Sequence, residues 1–341
     1  MSSNGVISLA ELMNHHRDLL VQPICWTSRH LEMLGCRFEH FDHVPTPTDD
    51  INPDANTWRP IYNDNELEKR PDLLYEEDFA EGHFSLCPHV YFGRLVRPLL
   101  NRKCETPYFF FANKRIHRPQ YSVFYRSRKR SQPADKAPRP IIGYMHYRGV
   151  EKYRQEMFPF SDPPEGYCNR PGGQIQLKRV AQITPKNWSE DPYLLCVLLS
   201  LAQLQEYHRR EWHPPIHVSR LFLTHGPGEE FFHIFEAHIT SELLEMLDNP
   251  TTATKHIDWP IIRHIRVPYY PLEDLRERIQ TEIARDQPPG TFDISDPVHR
   301  ILLPGGRRDY SEDADTIHIQ RRKEVKKKTK SKVKKTSRSS L

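Results

Sequence analysis

The sequence has no long apolar run. Its longest uncharged apolar stretch covers residues 192–205, which is shorter than the roughly 20 residues that a membrane-spanning helix needs. Its first residues also lack a basic flank followed by a long apolar segment, the pattern of a secretory signal. We therefore expect an intracellular protein without a membrane partner.

Close cysteine pairs and glycine-rich phosphate loops are absent from the sequence as well. The six cysteines are scattered, without the spacing of a disulfide framework or a zinc ribbon. There is no Walker-type run, no kinase catalytic loop and no serine elbow. Pro171, Gly172 and Gly173 precede a segment that we predict to be a strand, so we interpret them as a turn rather than as an anion-binding helix start.

Proline, in contrast, is abundant. The chain has 30 prolines, and its hydrophobic share of 37% lies below the roughly 45–50% of an average globular domain. Because proline fixes φ and has no backbone donor, it favours turns and extended connections. We expect a core carried by a minority of segments, together with a loop-rich N-terminal third that includes residues 41–71.

Positive charge is concentrated at the C-terminal end. Residues 321–341 contain eleven lysines and arginines and a single acid, Glu324, although the net charge of the whole chain is only +4. The rest of the chain is therefore mildly acidic, which argues against a body that binds nucleic acid. A segment this polar predicts disorder over residues 306–341.

The basic tail indicates a nuclear address or an arm that contacts polyanions. We expect nuclear localisation, with the cytoplasm as the alternative, and an import receptor or a polyanion as the partner. A solvated run of charge that nothing recognises is the plain alternative. The residues expected to make these contacts are Arg321, Arg322, Lys323, Lys326, Lys327, Lys328, Lys330, Lys332, Lys334 and Lys335.

Hydrophobic periodicity predicts an α+β or α/β fold in which a mixed sheet packs on a central buried helix. That helix is expected at residues 192–210, whose first half is apolar nearly all round. His225-Gly226-Pro227-Gly228 separate two predicted strands and favour a hairpin. The predicted strands cover residues 106–112, 120–125, 141–150, 174–183, 216–224, 230–239 and 261–267, and the predicted helices cover residues 9–20, 28–34, 192–210, 240–247 and 272–285.

The same pattern divides the chain into three regions. Residues 1–130 form a loop-rich N-terminal region, which is either separate or a part of the same domain as the next region. Residues 141–290 form the α/β core, and residues 306–341 form the disordered basic tail. The polar stretch at residues 126–140 is the best internal boundary.

One block of the core is similar to known sequences. The run GGQIQLKRVAQI, then Trp188 and DPYLLCVLLSLAQLQ, resembles a block in uncharacterised proteins of filamentous fungi. The resemblance covers residues 172–279, under a third of the chain. It implies the same order of elements, and it implies no activity.

Gln176 and Lys178 suggest an enzymatic alternative to a binding protein. On a strand these two residues would point to the same side, as an acid and a lysine do in the PD-(D/E)XK nuclease scaffold. Carboxylates there hold Mg²⁺ while the lysine steadies the attacking water or the phosphate. Gln176 stands where that family has a carboxylate, and Glu151 and Asp162 are only candidates for the missing acid. A polar strand face is the plain alternative.

Histidine and cysteine patterns point to no metal site or nucleophile. His233 and His238 are five residues apart on a predicted strand, so they should face opposite sides, and two prolines separate His213 from His217. The run Cys87-Pro88-His89 has too few ligands for zinc. Cys196 should be inert core, whereas Cys104 follows two basic residues.

We therefore expect no bound cofactor, with Mg²⁺ required only by the nuclease alternative. The leading function is a non-enzymatic interaction or regulatory protein.

Overall fold

The computed structural model describes residues 9–17, 20–42, 73–81, 88–97, 99–103, 107–126, 140–160, 169–208, 215–251 and 258–285. The helices in these ranges are α1 (Leu9–His15), α2 (Ser28–Leu34), α3 (Leu73–Glu81), α4 (Pro88–Leu95), α5 (Arg148–Glu156), α6 (Arg170–Ile183), α7 (Tyr193–Tyr207), α8 (Ser241–Asp248) and α9 (Leu275–Ala284). The strands are β1 (Arg37–Asp42), β2 (Leu100–Lys103), β3 (Phe109–Phe111), β4 (Lys114–His117), β5 (Ser122–Arg126), β6 (Pro140–His146), β7 (Ile216–Thr224), β8 (Phe231–Thr240) and β9 (Ile261–Pro268).

A mixed seven-stranded sheet organises the fold. Its strand order is β1-β9-β8-β7-β6-β5-β2, while β3 and β4 form a separate two-stranded hairpin. The pairs β1–β9 and β6–β7 are parallel, and the other neighbours in the large sheet are antiparallel. Because β1, β2 and β5 precede residue 130, the N-terminal region contributes three strands to the same sheet as the predicted core.

The central helix α7 covers one face of this sheet, which we name the α7 face. Leu194, Leu195, Leu198 and Leu199 are fully buried there, because the first half of the helix is apolar on every side. Helices α1, α2, α5 and α8 complete the same core cluster. The prediction of a mixed sheet on a central buried helix is confirmed.

The opposite side of the sheet, named the α9 face, is covered by α3, α4 and α9. Aromatic rings dominate this second cluster. The rings of Phe92 and Tyr144 stack with centroids 4.4 Å apart, and Phe79 contacts both of them. Since each face of the sheet has its own apolar layer, the central strands are buried on both sides.

Local signals that involve few residues are confirmed. Strands β7 and β8 pair in antiparallel register around residues 225–230, as the hairpin signal predicted. Thr240 caps α8 by accepting a hydrogen bond from the backbone of Leu243 at 3.1 Å. Gly35 ends α2 with φ of 71°, a left-handed conformation that glycine adopts at little cost.

The prediction of a strand at residues 174–183 is wrong. These residues belong to helix α6, which begins after Asn169, whose side chain accepts a hydrogen bond from the Gly172 backbone at 2.9 Å. The alternation of Ile175 and Leu177 does not mark a buried strand face, since their exposed fractions are 52% and 66%. Gly172 therefore lies in the first turn of a helix, so the turn interpretation is also wrong.

Other boundaries shift by a few residues. The strand predicted at residues 141–150 ends at His146, and α5 takes over at Arg148. Helix α1 ends at His15 rather than at residue 20. The helix predicted at residues 272–285 begins with a 3-10 turn, Leu272–Asp274. The predicted loop at residues 41–71 overlaps the end of β1, and its remainder lies outside the described residues, as does the whole basic tail.

Candidate functional site

An apolar groove lies between the N-terminal elements and the β3–β4 hairpin. Helix α1 contributes Leu12 and Met13, the segment before α2 contributes Trp26, and the hairpin contributes Phe111 and Ile116. The cavity has a volume of about 310 Å³. Residues from the first 35 positions of the chain thus form one concave surface with residues from position 109 onward.

The hairpin wall of the groove is fixed by hydrogen bonds to two helices. The Gln203 side chain on α7 accepts from the Phe110 backbone N–H at 3.0 Å and donates to the Phe110 carbonyl at 2.9 Å. The Ala112 backbone N–H donates to the carbonyl of Leu247 on α8 at 2.8 Å. These contacts join the middle of β3 to α7 and the residue after β3 to α8, and so position the aromatic side chains of the hairpin.

The groove lining is almost entirely apolar. Apart from two indole N–H groups, only His16, Gln22 and His30 bring polar side-chain atoms among the described residues that line it, and none of these residues is an acid, a lysine or an arginine. Trp26 packs edge-on against Phe109 with ring centroids 5.9 Å apart. Such a surface gains free energy when it is covered by apolar atoms, and it offers little to an ionised group.

A chain of three histidines forms a second feature, on the α7 face of the sheet. Glu190 Oε1 lies 3.0 Å from Nε2 of His40 on β1. Nδ1 of His40 lies 2.7 Å from Nδ1 of His264, its direct neighbour on β9. Nε2 of His264 lies 2.8 Å from Nδ1 of His233 on β8. The imidazoles therefore connect a carboxylate at the surface to the interior.

Burial increases along this chain. The side chains of His40 and Glu190 have exposed fractions of 44% and 50%, whereas His264 and His233 are buried. The ring of Phe235 stacks on His264 at 4.6 Å. At the inner end, Nε2 of His233 is buried and has no hydrogen-bond partner among the described residues.

Aromatic rings cover the inner end of the histidine chain. Trp188 lies edge to face with His233 at a centroid distance of 4.6 Å, and it stacks on His225 at 4.4 Å. Tyr147 packs against both Trp188 and His225. Burial, aided by the nearby His264 and His225, lowers the pKa of His233 to about 3. His233 is thus neutral over the ordinary pH range.

A buried ion pair anchors this aromatic cover. The guanidinium of Arg154 on α5 donates to both carboxylate oxygens of Asp191, at 2.7 and 2.8 Å. Tyr147 also donates to Asp191, at 2.7 Å. Asp191 directly follows the 3-10 turn Trp188–Glu190. The pair therefore fixes the turn that carries both Trp188 and Glu190.

The structure separates the two residues of the nuclease hypothesis. On helix α6 a two-residue step rotates the side chain by about 200°, so Gln176 and Lys178 point in nearly opposite directions. Gln176 donates to the Gln155 carbonyl on α5 at 3.0 Å, while Lys178 is exposed. The shared strand face on which this hypothesis rested does not exist. Glu151 lies on α5, and Asp162 lies outside the described residues.

The remaining candidates from the sequence are histidines and cysteines. His233 is buried while His238 is exposed, so the two do face opposite sides of the sheet. Cys196 is fully buried, and burial raises the pKa of its thiol well above the ordinary value. His217 is buried, whereas His213, Cys87 and Cys104 lie outside the described residues.

Neither a metal cluster nor a membrane-spanning helix is found in the described part of the chain. No group of three or more His, Cys, Asp or Glu side chains in those ranges is arranged to hold a metal ion. Within the same ranges, no helix is both long enough and apolar enough to cross a membrane. The histidine chain is no exception, because its nitrogens face one another rather than a common point.

Sequence reasoning missed both the groove and the histidine chain. The groove residues come from several separate segments of the chain, and no single segment contains a binding motif. His40 and His264 are 224 positions apart, and only the strand pairing brings them together. The single local signal was the unusual number of histidines, 19 in the chain. Comparison with known proteins finds no matching family model and no matching curated protein.

Proposed function

We propose that this chain is a non-enzymatic binding protein that takes a small, uncharged apolar molecule in the groove between α1, α2 and the β3–β4 hairpin. The observation that carries this proposal is the apolar cavity of about 310 Å³. Ligand sites in proteins are concave, mostly apolar and on the order of 300–1,000 Å³ in volume. The groove fits the lower end of that range.

The lining favours an uncharged ligand. An ionised group placed against Leu12, Trp26 and Phe111 would lose its hydration without gaining a charged partner. An apolar molecule would instead remove from water the exposed parts of the rim residues Leu20, Val21 and Ile116, which have exposed fractions of 54%, 40% and 42%. Dry apolar cavities in proteins are known to accept such guests.

Fluorescence titration with N-phenyl-1-naphthylamine, an uncharged apolar dye, tests the proposal. We expect saturable binding at one site, with a blue-shifted and stronger emission. Ile116→Asp places a carboxylate at the rim of the groove, so it should weaken dye binding at least about tenfold, the equivalent of 1.4 kcal/mol. Because Ile116 is partly exposed, this variant should still fold.

Leu177→Asp provides the matched control. Leu177 is another exposed aliphatic residue, on α6 and not in the lining of the groove. The proposal predicts that this variant binds the dye as the parent does. No saturable binding by the parent protein, or equal loss in both variants, would refute the groove as a ligand site.

We further propose that the protein acts in the nucleus and that its basic tail provides the address. Residues 321–341 contain eleven lysines and arginines, and runs of this kind are recognised by import receptors and by polyanions. The apolar groove and the tail would then serve separate steps: one binds the ligand, and the other sets the compartment.

Replacing the ten basic tail residues from Arg321 to Lys335 with glutamine tests the address. The substituted chain, carried on a fluorescent reporter, should lose its nuclear accumulation and any salt-sensitive binding to DNA. A control chain with Thr329, Ser331 and Thr336 changed to alanine keeps the charge and should behave as the parent. Unchanged nuclear accumulation after removal of the charge would refute this role of the tail.

A further inference from the structure

The directions of the hydrogen bonds in the histidine chain follow from its surface end. An ionised carboxylate can only accept hydrogen bonds, and a neutral imidazole has one N–H donor and one acceptor nitrogen. Glu190 therefore requires the proton of His40 on Nε2, which leaves Nδ1 of His40 as an acceptor. His264 must then donate from Nδ1 and accept at Nε2.

The same rule sets the state of the inner histidine. Since Nε2 of His264 accepts, His233 must donate from Nδ1, at 2.8 Å. Its Nε2 then has a lone pair and no proton. This acceptor is buried beneath Trp188 and has no hydrogen-bond partner among the described residues.

One added proton at the surface reverses every bond in the chain. If His40 takes a proton on Nδ1, that nitrogen becomes a donor and Nδ1 of His264 must accept. His264 then carries its proton on Nε2 and donates to Nδ1 of His233. His233 in turn must carry its proton on Nε2. The proton count balances, because His40 gains one proton while His264 and His233 each move a proton from one ring nitrogen to the other.

We propose that Glu190, His40, His264 and His233 form a proton-driven relay that converts Nε2 of His233 from a hydrogen-bond acceptor into a donor when His40 is protonated. The device senses protons at the surface and changes the polarity of a group beneath Trp188. It is independent of the apolar groove, whose lining includes none of these four residues.

The charges around the relay favour keeping the added proton at its outer end. At the outer end, the carboxylate of Glu190 lies 3.0 Å from Nε2 of His40. Around the inner end, His264 and Arg266 on β9 and His225 in the β7–β8 turn all disfavour a cation at His233. Glu229 is 2.8 Å from His225, so its negative charge is directed at that histidine. His233 therefore changes its tautomer without becoming charged.

Long-range ¹H–¹⁵N NMR of the imidazole rings tests the relay, because it distinguishes protonated from unprotonated ring nitrogens. Spectra at about pH 8 and about pH 5 bracket the protonation range of ordinary histidines. At the higher pH we expect His233 to be protonated on Nδ1, and at the lower pH on Nε2 with the ring still neutral. A His233 ring with one unchanged tautomer over this range would overturn the proposal.

His40→Phe removes the proton acceptor at the surface and should abolish the tautomer change at His233. His238→Phe is the matched control, because His238 is an exposed histidine on the same strand as His233 and faces the other side of the sheet; it should leave the change intact. Glu190→Gln gives a second, smaller perturbation: an amide can donate as well as accept, so it no longer fixes the His40 proton on Nε2, and His233 should populate both tautomers at the higher pH. A tautomer change that persists unaltered in both His40→Phe and Glu190→Gln would also overturn the relay.

Discussion

Arg154 and Asp191 form a bidentate ion pair that is buried almost completely, with side-chain exposed fractions of 1% and 0%. Two N–H···O bonds of 2.7 and 2.8 Å join the guanidinium to the carboxylate. The same carboxylate accepts a hydrogen bond from Tyr147 at 2.7 Å, and the Tyr193 backbone donates to it at 2.9 Å. One carboxylate thus links α5, the 3-10 turn of Trp188 and the first turn of α7.

Removing one partner of this pair should destabilise the fold strongly. Arg154→Met leaves the Asp191 carboxylate buried without its cation, which costs about 3–5 kcal/mol in such sites. Urea denaturation followed by circular dichroism measures the loss. Lys152→Met on the same helix is the control: the Lys152–Glu156 pair is exposed, so we expect a change within about 0.5 kcal/mol. Equal effects of the two substitutions would contradict the structural role of the buried pair.

Shortening a leucine side chain should have different effects on the stability of the protein in α6 and in α7. Leu198 on α7 is fully buried, so Leu198→Ala should reduce the free energy of unfolding by about 2–5 kcal/mol. Leu177 on α6 is exposed, and Leu177→Ala should change it by less than about 0.5 kcal/mol. The same denaturation measurement compares them. A large loss of unfolding free energy in Leu177→Ala would contradict the exposed position of Leu177 and favour the buried strand face that the sequence predicted.

Acid should destabilise the protein through its buried neutral histidines. Burial lowers the pKa of His117 to about 4 and that of His233 to about 3, below the unfolded value of about 6.5. At pH above 6.5 both states are neutral; below it, the unfolded chain binds protons that the folded chain does not. Stability should therefore fall as the pH decreases from about 6.5 towards about 4, by about 1.4 kcal/mol per pH unit for each histidine.

Variants assign this acid sensitivity to particular residues. In His117→Phe the slope of unfolding free energy against pH should decrease by the contribution of one histidine. Leu177→Ala, which removes no titratable group, should leave the slope as it is in the parent. The slope is informative even where the substitution also lowers the absolute stability. A parent protein whose stability is flat between about pH 6.5 and 4 would contradict the buried neutral state.

The described cysteines should react with thiol reagents at rates that depend on their burial. Cys25 is partly exposed, whereas Cys36 and Cys196 are buried. Burial raises the pKa of Cys36 to about 12, and its Sγ–H donates to the Pro260 carbonyl at 3.0 Å. Since the thiolate is the reactive form, iodoacetamide should label Cys25 well before the other two. Peptide mass spectrometry of the folded protein gives the order, and labelling in denaturant should remove the difference.

Local patterns in the sequence were sufficient for elements that depend on neighbouring residues. The apolar run that became α7, the cap at Thr240 and the hairpin at residues 225–230 each follow from side chains within one or two turns of backbone. Residues 174–183 were assigned wrongly for the same reason. Ile175 and Leu177 alternate as in a strand, and nothing nearby shows that neither side chain is buried.

Short-range chemistry in the chain thus determined the fold class, the central helix and the β7–β8 hairpin. Long-range pairing decided the groove and the histidine chain. The histidine relay exists because β1 lies beside β9 and β8 lies on the other side of β9, which places His40, His264 and His233 in hydrogen-bond contact. The groove likewise needs α1, α2 and the β3–β4 hairpin to meet over α7. Because strand order and helix docking depend on the free energy of the whole core, no local pattern contains them, and only the tertiary structure shows them.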